Sequence, residues 1–237
     1  MNQLCIVSPI YNESRTIPRL ISELQLLAQV IQFRVVFVDD GSTDDSLEVL
    51  QRHLRDVRFE NQVISKENGG KTSAIKTGLE SALGTHILIL DADLELLPSD
   101  IPKLWDVVTS GKSDFVFGYR EFRAQSSFTW RYSRGNLFLS NYFGFLFNVV
   151  VSDIMCGFKL LPLDYMKRIQ LKVRGFGLEV EIPFNMWRDG IRPFEVQVDY
   201  IPRSRMQGKT IGVRDALYVV LLLTAWRVKS FFILSSK

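Results

Sequence analysis

The sequence predicts an α/β fold in which helices flank a mainly parallel sheet, with an amphipathic helix at its C-terminal end. Two observations support this prediction. Strand-like and helix-like segments alternate over residues 1–118, and an apolar run at 86–90 ends abruptly in two aspartates. Such alternation is typical of right-handed β-α-β units, and short apolar runs are typical of strands buried on both faces. Because the carboxyl ends of such strands line the ligand crevice, the residues that follow them are candidate site residues.

Each element of the first half has its own signal. Strands are predicted from short apolar runs, and helices from apolar residues three to four positions apart after a capping residue or an early proline. The predicted order is strand Leu4–Ser8, helix Ser14–Ile31, strand Val35–Val38, a helix capped by Ser42 or Thr43 that runs to about Leu54, strand Gln62–Ser65, helix Thr72–Ala82, strand Ile87–Leu90, helix Ile101–Val108 and strand Phe115–Gly118.

The second half has a looser pattern. It predicts a helix over Phe128–Val150, a mixed segment at 153–170, a helix over Glu179–Arg188, a strand over Phe194–Tyr200 and a helix over Val213–Phe232. We expect one domain over residues 1–212, with halves at 1–118 and 119–212, followed by the helical segment 213–237.

Charge and cysteine content exclude some classes of protein. The net charge of +3 is low for a nucleic-acid-binding protein, and there is no long Lys/Arg run. Two cysteines, Cys5 and Cys156, without a framework spacing predict a reducing compartment and no disulfide. No signal peptide or membrane span is expected, since the apolar stretch Ala216–Trp226 falls short of the ~20 residues that a span needs.

Asp91 and Asp93 are the most informative candidates in the sequence. On an extended chain, residues two apart point to the same side, so both carboxylates are expected to face one ligand. Like charges held together favour a cation between them, and oxygen ligands suit Mg²⁺ or Mn²⁺. The alternative is that both are solvated loop acids, one of which caps the next helix.

Other strand ends are acidic as well, and the usual phosphate-binding loops are absent from the sequence. No Gly-x-Gly-x-x-Gly motif follows the first strand, and Gly69-Gly70-Lys71-Thr72 lacks the first glycine of a P-loop. The first two strands end instead in Pro9–Glu13 and Asp39–Asp44. An acidic site that binds a polyphosphate needs a metal ion between the two.

Several motifs occur together in the order and spacing of a known family. In the first half these are Pro9-x-Tyr11-Asn12-Glu13, Val38-Asp39-Asp40-Gly41-Ser42-Thr43-Asp44, Asn68-Gly69-Gly70-Lys71 and Asp91-Ala92-Asp93. With them the chain resembles the family-2 glycosyltransferases of GT-A fold. The second half is similar to the dolichol-phosphate mannose synthase branch, which includes polyprenyl-phosphate glucosyltransferases. The motifs that carry this similarity are Gly118-Tyr119-Arg120, Asp153-x-x-Cys156-Gly157-Phe158-Lys159, Gly175-Phe176-x-x-Glu179-x-Glu181 and Arg205-x-x-Gly208-Lys209-Thr210.

The resemblance implies roles on the donor side. Asp91 and Asp93 would hold Mg²⁺ or Mn²⁺ on the donor diphosphate, with Glu95 as a third ligand. The metal would offset charge on the departing nucleoside diphosphate. Further donor-binding candidates are Pro9, Tyr11, Glu13, Asp39, Asp40, Lys71 and Ala92.

Roles on the acceptor side follow from the chemistry of a lipid phosphate. Such a nucleophile needs little deprotonation near neutral pH, so cations that hold it matter more than a strong base. The acceptor candidates are Arg120, Arg131, Ser133, Arg134, Arg205 and Lys209. Catalytic roles are predicted for Asp93, Asp153, Arg120 and Arg205. Asp153 stands where other family-2 enzymes place a catalytic carboxylate, or it orients the sugar or an arginine.

The resemblance implies an inverting transferase that moves a hexose from GDP-mannose or UDP-glucose to dolichyl or polyprenyl phosphate. Two alternatives stay open: a sugar-hydroxyl acceptor in cell-surface polysaccharide synthesis, and a non-catalytic subunit that binds sugar nucleotide or lipid. A nucleotidyltransferase is disfavoured, because Pro9–Glu13 is not the glycine- and arginine-rich loop it requires. The apolar and basic residues of 213–234 predict a membrane-interfacial helix, and thus a peripheral protein on the cytoplasmic face of a membrane with a possible anchoring subunit. A core-packed terminal helix is the alternative.

Overall fold

A seven-stranded sheet forms the centre of the computed structural model, which describes residues 2–121, 130–173, 175–202 and 212–234. The strands lie in the order β3-β2-β1-β4-β6-β5-β7. β6 pairs antiparallel with β4 and β5, and the other neighbours are parallel, which confirms the predicted mainly parallel sheet. Their bounds are β1 Leu4–Ile10, β2 Phe33–Asp39, β3 Glu60–Ser65, β4 His86–Ile89, β5 Val116–Arg120, β6 Lys159–Pro162 and β7 Phe194–Val198.

Helices cover both faces of the sheet, because its central strands carry apolar side chains on both faces. Leu4 and Ile6 of β1 belong to one buried cluster, and Cys5 and Val7 to another. The first cluster includes side chains from α1 and α4, and the second includes side chains from α3, α6 and α7. The helices are α1 Ile17–Leu27, α2 Ser46–His53, α3 Lys71–Ser81, α4 Ile101–Thr109, α5 Trp130–Phe147, α6 Leu163–Arg168, α7 Leu178–Arg188 and α8 Val213–Leu234.

A third, aromatic-rich cluster joins α5, α7 and α8. Phe147 packs against Phe184 and Trp187, and its carbonyl accepts a hydrogen bond from the Trp187 indole at 2.8 Å. Val219 and Leu223 bury one side of α8 in this cluster. The C-terminal helix therefore exists as predicted and packs on the body of the protein along one side. Among the described helices, none is long and apolar enough to cross a bilayer.

Most predicted elements appear within a few residues of their expected bounds, but β6 was not predicted. This strand lies inside the mixed segment 153–170 and begins with the charged Lys159. Its four residues give too short an apolar run to separate a strand from a loop. Since β6 inserts between β4 and β5, residues from both predicted halves build one sheet; the division at 118 stays a prediction.

Candidate active site

Three strand ends meet at one edge of the sheet. β1 lies between β2 and β4, and all three run parallel, so the residues that follow them leave the sheet on the same side. The Asp40 amide donates to the Ile10 carbonyl at 2.9 Å, which ties the ends of β1 and β2 together. The predicted convergence of acidic strand ends is therefore present in the structure.

The loop after β1 is fixed to the loop after β2. Asn12 adopts a left-handed conformation with φ +56°, and its side-chain oxygen accepts a hydrogen bond from the Thr43 amide at 2.8 Å. Its own amide donates to the Ser42 hydroxyl at 3.1 Å. Asparagine tolerates this conformation better than most residues. Tyr11 lies beside this junction with half of its surface exposed.

Asp39 and Asp40 are buried and hold these loops. Asp40 accepts hydrogen bonds from the Lys66 ammonium at 2.7 Å and from the amides of Gly69 and Gly70 at 3.0 and 2.7 Å. Gly70 has φ +83°, which favours glycine, and directly precedes α3. Asp39 accepts from the Ser65 hydroxyl at 3.2 Å. In the structure both acids organise the loops around the crevice, and their contact with donor stays a prediction.

A chain of alternating charges begins at Asp91. The Lys71 ammonium donates to Asp91 at 2.8 Å and to Glu179 at 3.0 Å, and the Lys159 ammonium donates to the second Glu179 oxygen at 2.8 Å. Lys71 opens α3, Lys159 opens β6 and Glu179 lies in the first turn of α7. The chain therefore connects the end of β4 to three other elements.

In this series of alternating charges, ion pairing has a larger effect on the pKa values than burial has. Burial favours the neutral form of Lys71, but Asp91 and Glu179 raise its pKa well above the ordinary value. Burial likewise favours the neutral form of Glu179, yet Lys159 and Lys71 lower its pKa to about 2. Lys71 and Glu179 are thus both held in their charged forms.

The Asp91–Asp93 segment departs from the expected extended geometry. β4 ends at Ile89, and residues 92–93 form a turn, followed by Leu94 with φ +57°. The rule that residues two apart share a side applies to strands, so it does not apply to this turn. Asp93 instead accepts a hydrogen bond from the Glu95 amide at 3.0 Å, and Ala92 is buried.

The predicted third metal ligand has another partner. Glu95 accepts a hydrogen bond from the Tyr200 hydroxyl at 2.7 Å. Within the described ranges, no group of three or more His, Cys, Asp or Glu side chains is arranged to hold a metal ion. The set Asp91, Asp93 and Glu95 as metal ligands stays a prediction. Asp91 still suits a metal, because it is partly exposed and already holds a cation. Mg²⁺ is commonly held by one or two carboxylates with substrate phosphates.

A second charged cluster lies at the end of β5. Arg120 donates two hydrogen bonds to Asp153, from Nε at 2.6 Å and from a terminal nitrogen at 2.9 Å. It also donates to the Tyr132 hydroxyl at 2.9 Å and lies 4.9 Å from the ring centre of Tyr200. Both Arg120 and Asp153 are buried. Asp153 thus holds the guanidinium in place, and its predicted catalytic role stays a prediction.

Two tyrosines connect this cluster to the loop that follows the turn at 92–93 and carries the predicted metal ligand Glu95. The hydroxyls of Tyr132 and Tyr200 lie 3.2 Å apart, and Tyr200 reaches Glu95 as described. Burial is the main cause that raises the pKa of Tyr200 far above its usual value, so its hydroxyl stays protonated. The predicted donor and acceptor regions are therefore joined by a hydrogen-bonded path from Glu95 to Arg120.

The other acceptor candidates are only partly within the described residues. Arg134 is exposed on α5, 5.7 Å from the ring centre of Trp130, and Ser133 is partly buried beside it. Arg205, Lys209 and the side chain of Arg131 lie outside the part that the structure describes. Sequence reasoning gave no role to Lys159, Tyr132 or Tyr200. For Lys159 two signals were available: its place at the end of the motif that begins at Asp153, and its charge inside the apolar run 158–161.

Comparison with known proteins identifies the class and then the family. The described fold is the GT-A fold: it matches glucosyl-3-phosphoglycerate synthase from Mycobacterium tuberculosis, in a complex with Mn²⁺, UDP and phosphoglyceric acid, with a TM-score of 0.69 and 16% identity over 96% of this chain and 78% of that one. Residues 5–169 match the family model described as Glycosyl transferase family 2, so the chain belongs to this family, as the motifs predicted.

The chain is also similar in sequence to two named transferases. An undecaprenyl-phosphate 4-deoxy-4-formamido-L-arabinose transferase of Pseudomonas syringae pv. syringae is 38% identical over 53% of this chain and 37% of its own length. Glycosyltransferase AglJ of Haloferax volcanii is 28% identical over 84% of this chain and 63% of its own length. The chain thus spans little more than a third of the first relative and under two thirds of the second.

Proposed function

We propose that this protein is an inverting glycosyltransferase that moves a hexose from a nucleotide sugar to a polyprenyl or dolichyl phosphate. The observation that carries the proposal is the hydrogen-bonded path from Glu95 through Tyr200 and Tyr132 to Arg120. This path connects the carboxylate-rich edge of the sheet, which would bind the donor, to the arginine-containing region, which would bind the acceptor. Membership in family 2 and the relative named for undecaprenyl phosphate support the same reaction.

The residues of the donor edge would bind and orient the nucleotide sugar. Tyr11 offers an exposed ring for the nucleoside, and the loops held by Asp39 and Asp40 shape the crevice around it. Asp91 and Asp93 would hold Mg²⁺ or Mn²⁺, which when bound would stabilise charge on the leaving diphosphate. Pro9, Glu13, Lys71 and Ala92 complete the proposed donor contacts.

The residues of the acceptor region would hold an anion near the sugar. Arg120 is fixed by Asp153 and contributes positive charge from a buried position, while Arg134 is exposed and able to contact a phosphate directly. Roles for Arg131, Ser133, Arg205 and Lys209 stay part of the proposal. Asp153 has little exposed surface and both carboxylate oxygens bonded to Arg120, which argues against general-base activation of a sugar hydroxyl.

An apolar surface on α5 and α8 supports a membrane-bound acceptor. Phe138 stacks on Tyr142, whose hydroxyl lies 2.7 Å from that of Thr224, so the exposed sides of the two helices are adjacent. Exposed apolar residues on these sides are Trp130, Phe138, Phe145, Leu217, Leu221 and Val228. Exposed basic residues on the same helices are Arg134, Arg214 and Lys229. This composition suits peripheral binding at the cytoplasmic face of an anionic bilayer, with or without an anchoring subunit.

The experiment is a transfer assay with the full chain. Radiolabelled UDP-glucose and GDP-mannose are each supplied with Mn²⁺ and either polyprenyl phosphate or the matched polyprenol, and label entering the organic phase is counted. We expect label from one donor and only with the phosphate. Asp93→Ala should remove most transfer, whereas the exposed-acid control Asp106→Ala should retain it. Transfer to the polyprenol as well, or donor binding without transfer under every condition, would contradict the proposal.

A further inference from the structure

Lys71 has two carboxylate partners of different exposure. Its ammonium bridges Asp91 at 2.8 Å and Glu179 at 3.0 Å. The Glu179 side chain is nearly buried and is also held by Lys159, whereas the Asp91 side chain keeps 35% of its surface exposed. Lys71 can therefore lose Asp91 and remain paired with Glu179.

Lys159, at the other end of this series of ion pairs, cannot change its partner in the same way. The Lys159 side chain is almost fully buried, and its ammonium also donates to the carbonyls of Ile154 and Cys156. Moving it would leave a buried charge without a partner, which is costly. Any exchange of cations must therefore take place at the Asp91 end, where water and solutes have access.

We propose that Lys71 is a resident counter-ion of Asp91 that a divalent ion replaces when the donor binds. The proposal rests on the proposed function, because it assigns Asp91 to the metal on the donor diphosphate. An ammonium and a dication repel each other, so each weakens the binding of the other at one carboxylate. Lys71 leaves Asp91, stays tethered by Glu179 and pairs with the incoming diphosphate. The metal alone therefore binds weakly, and metal together with diphosphate binds well.

Direct binding of Mn²⁺ tests this competition without measuring transfer. The full chain is titrated with Mn²⁺ alone, and free Mn²⁺ is followed by its paramagnetic resonance signal. Lys71→Met should bind Mn²⁺ about fivefold or more tightly than the unaltered protein, because the competing ion pair is gone. The same variant should bind UDP and GDP less tightly in the presence of Mn²⁺, because the diphosphate loses a cationic partner.

Matched variants separate this effect from a general change in charge. Lys76 is an exposed residue of α3, the helix that Lys71 opens, so Lys76→Met removes an equal charge from the same helix without unpairing a buried carboxylate. It should leave the affinity for Mn²⁺ alone unchanged, and Lys71→Arg should restore weak binding. Adding Asp91→Asn to Lys71→Met should abolish the gain. Equal affinities for Lys71→Met and the unaltered protein, or a gain that persists without Asp91, would overturn the proposal.

A measurement on the unaltered protein covers the case in which Lys71→Met does not fold. Lys71 is reductively methylated under limiting reagent and quantified by peptide mass spectrometry. Mn²⁺ alone should increase its labelling, and further addition of UDP or GDP should suppress it. Labelling that ignores Mn²⁺ would refute the exchange. If these results hold but no sugar is transferred, the proposed function fails alone; if sugar is transferred but Lys71 does not respond, the exchange fails alone.

Discussion

The two charged clusters at the carboxyl edge of the sheet differ in their access to water. The side chains of Arg120 and Asp153 are 5% and 0% exposed, whereas those of Lys71 and Asp91 are 22% and 35% exposed. A buried pair cannot change partners without leaving an uncompensated charge. A partly exposed pair can exchange one cation for another. The first cluster therefore suits a fixed geometry, and the second suits the loading of an ionic ligand.

One short segment contributes a charge to both clusters. Asp153 pairs with Arg120, and Lys159, six residues later, pairs with Glu179. Between them, a Cβ added at Gly157 would lie 3.4 Å from an Asp91 oxygen, so the segment also passes close to the open pair. Segment 153–159 therefore lies against both clusters, and variants in it test whether the two clusters behave differently.

The largest expected effect is the loss of stability in Asp153→Ala. This variant leaves the buried Arg120 guanidinium without its carboxylate, which should lower the free energy of unfolding by about 3–5 kcal/mol. Asp91→Ala should lower it by at most about 1 kcal/mol, because Lys71 keeps Glu179 and its surroundings are partly exposed. Urea denaturation measures both. Equal losses in the two variants would contradict the difference between the buried Arg120–Asp153 pair and the partly exposed Lys71–Asp91 pair.

The next effect is a pH dependence of stability that arises from Glu179, the buried carboxylate partner of Lys71. Since Lys159 and Lys71 outweigh burial and lower the pKa of Glu179 to about 2, its ionised form stabilises the folded state above its ordinary pKa of 4.5, and that contribution is lost as the pH falls towards 2. Glu179→Gln should be less stable than the unaltered protein at pH 7 by about 3 kcal/mol.

The difference between Glu179→Gln and the unaltered protein should shrink between pH 4.5 and pH 2. The control Asp106→Asn changes an exposed acid on α4, and its difference from the unaltered protein should stay small across the same range. Denaturant titrations at a series of pH values make the comparison. A constant deficit for Glu179→Gln down to pH 2 would show that this carboxylate is not held ionised by its lysines.

Sequence patterns predicted the sheet and the donor edge better than the contacts within the site. Regular alternation and apolar runs report local structure, so β1, β2 and β4 and their convergence were predictable. The turn at 92–93 was not, because the same Asp-x-Asp letters suit a strand or a loop. The Arg120–Asp153 and Lys71–Glu179 pairs join residues 33 and 108 positions apart, and no local pattern specifies which distant charges meet.

A smaller effect is expected at the tyrosine path that joins the two clusters. Tyr200→Phe removes a hydroxyl that lies 2.7 Å from Glu95 and 3.2 Å from Tyr132, which should cost about 1–2 kcal/mol of stability. It should also weaken binding of Mn²⁺ with UDP or GDP, because the turn that carries Asp93 loses a support. Tyr165→Phe removes a comparable bond to Asp189, 3.0 Å long and away from the site, and should leave metal binding unchanged. Equal metal affinity in both variants would contradict a positioning role for Tyr200.

The smallest expected effect is a change in the labelling rate of the cysteine that lies in segment 153–159. Burial raises the pKa of the Cys156 thiol to about 12, and burial also raises the pKa of Cys5 in β1. Because the thiolate is the reactive form, iodoacetamide should label both slowly in the folded protein and rapidly in urea. Asp153→Ala should speed labelling of Cys156 relative to Cys5, because the segment loses its bond to Arg120 while β1 keeps its sheet partners. Peptide mass spectrometry measures both rates in one sample, so Cys5 corrects for global unfolding. Equal acceleration at the two thiols would mean that Asp153 stabilises the whole fold and does not fix segment 153–159 in particular.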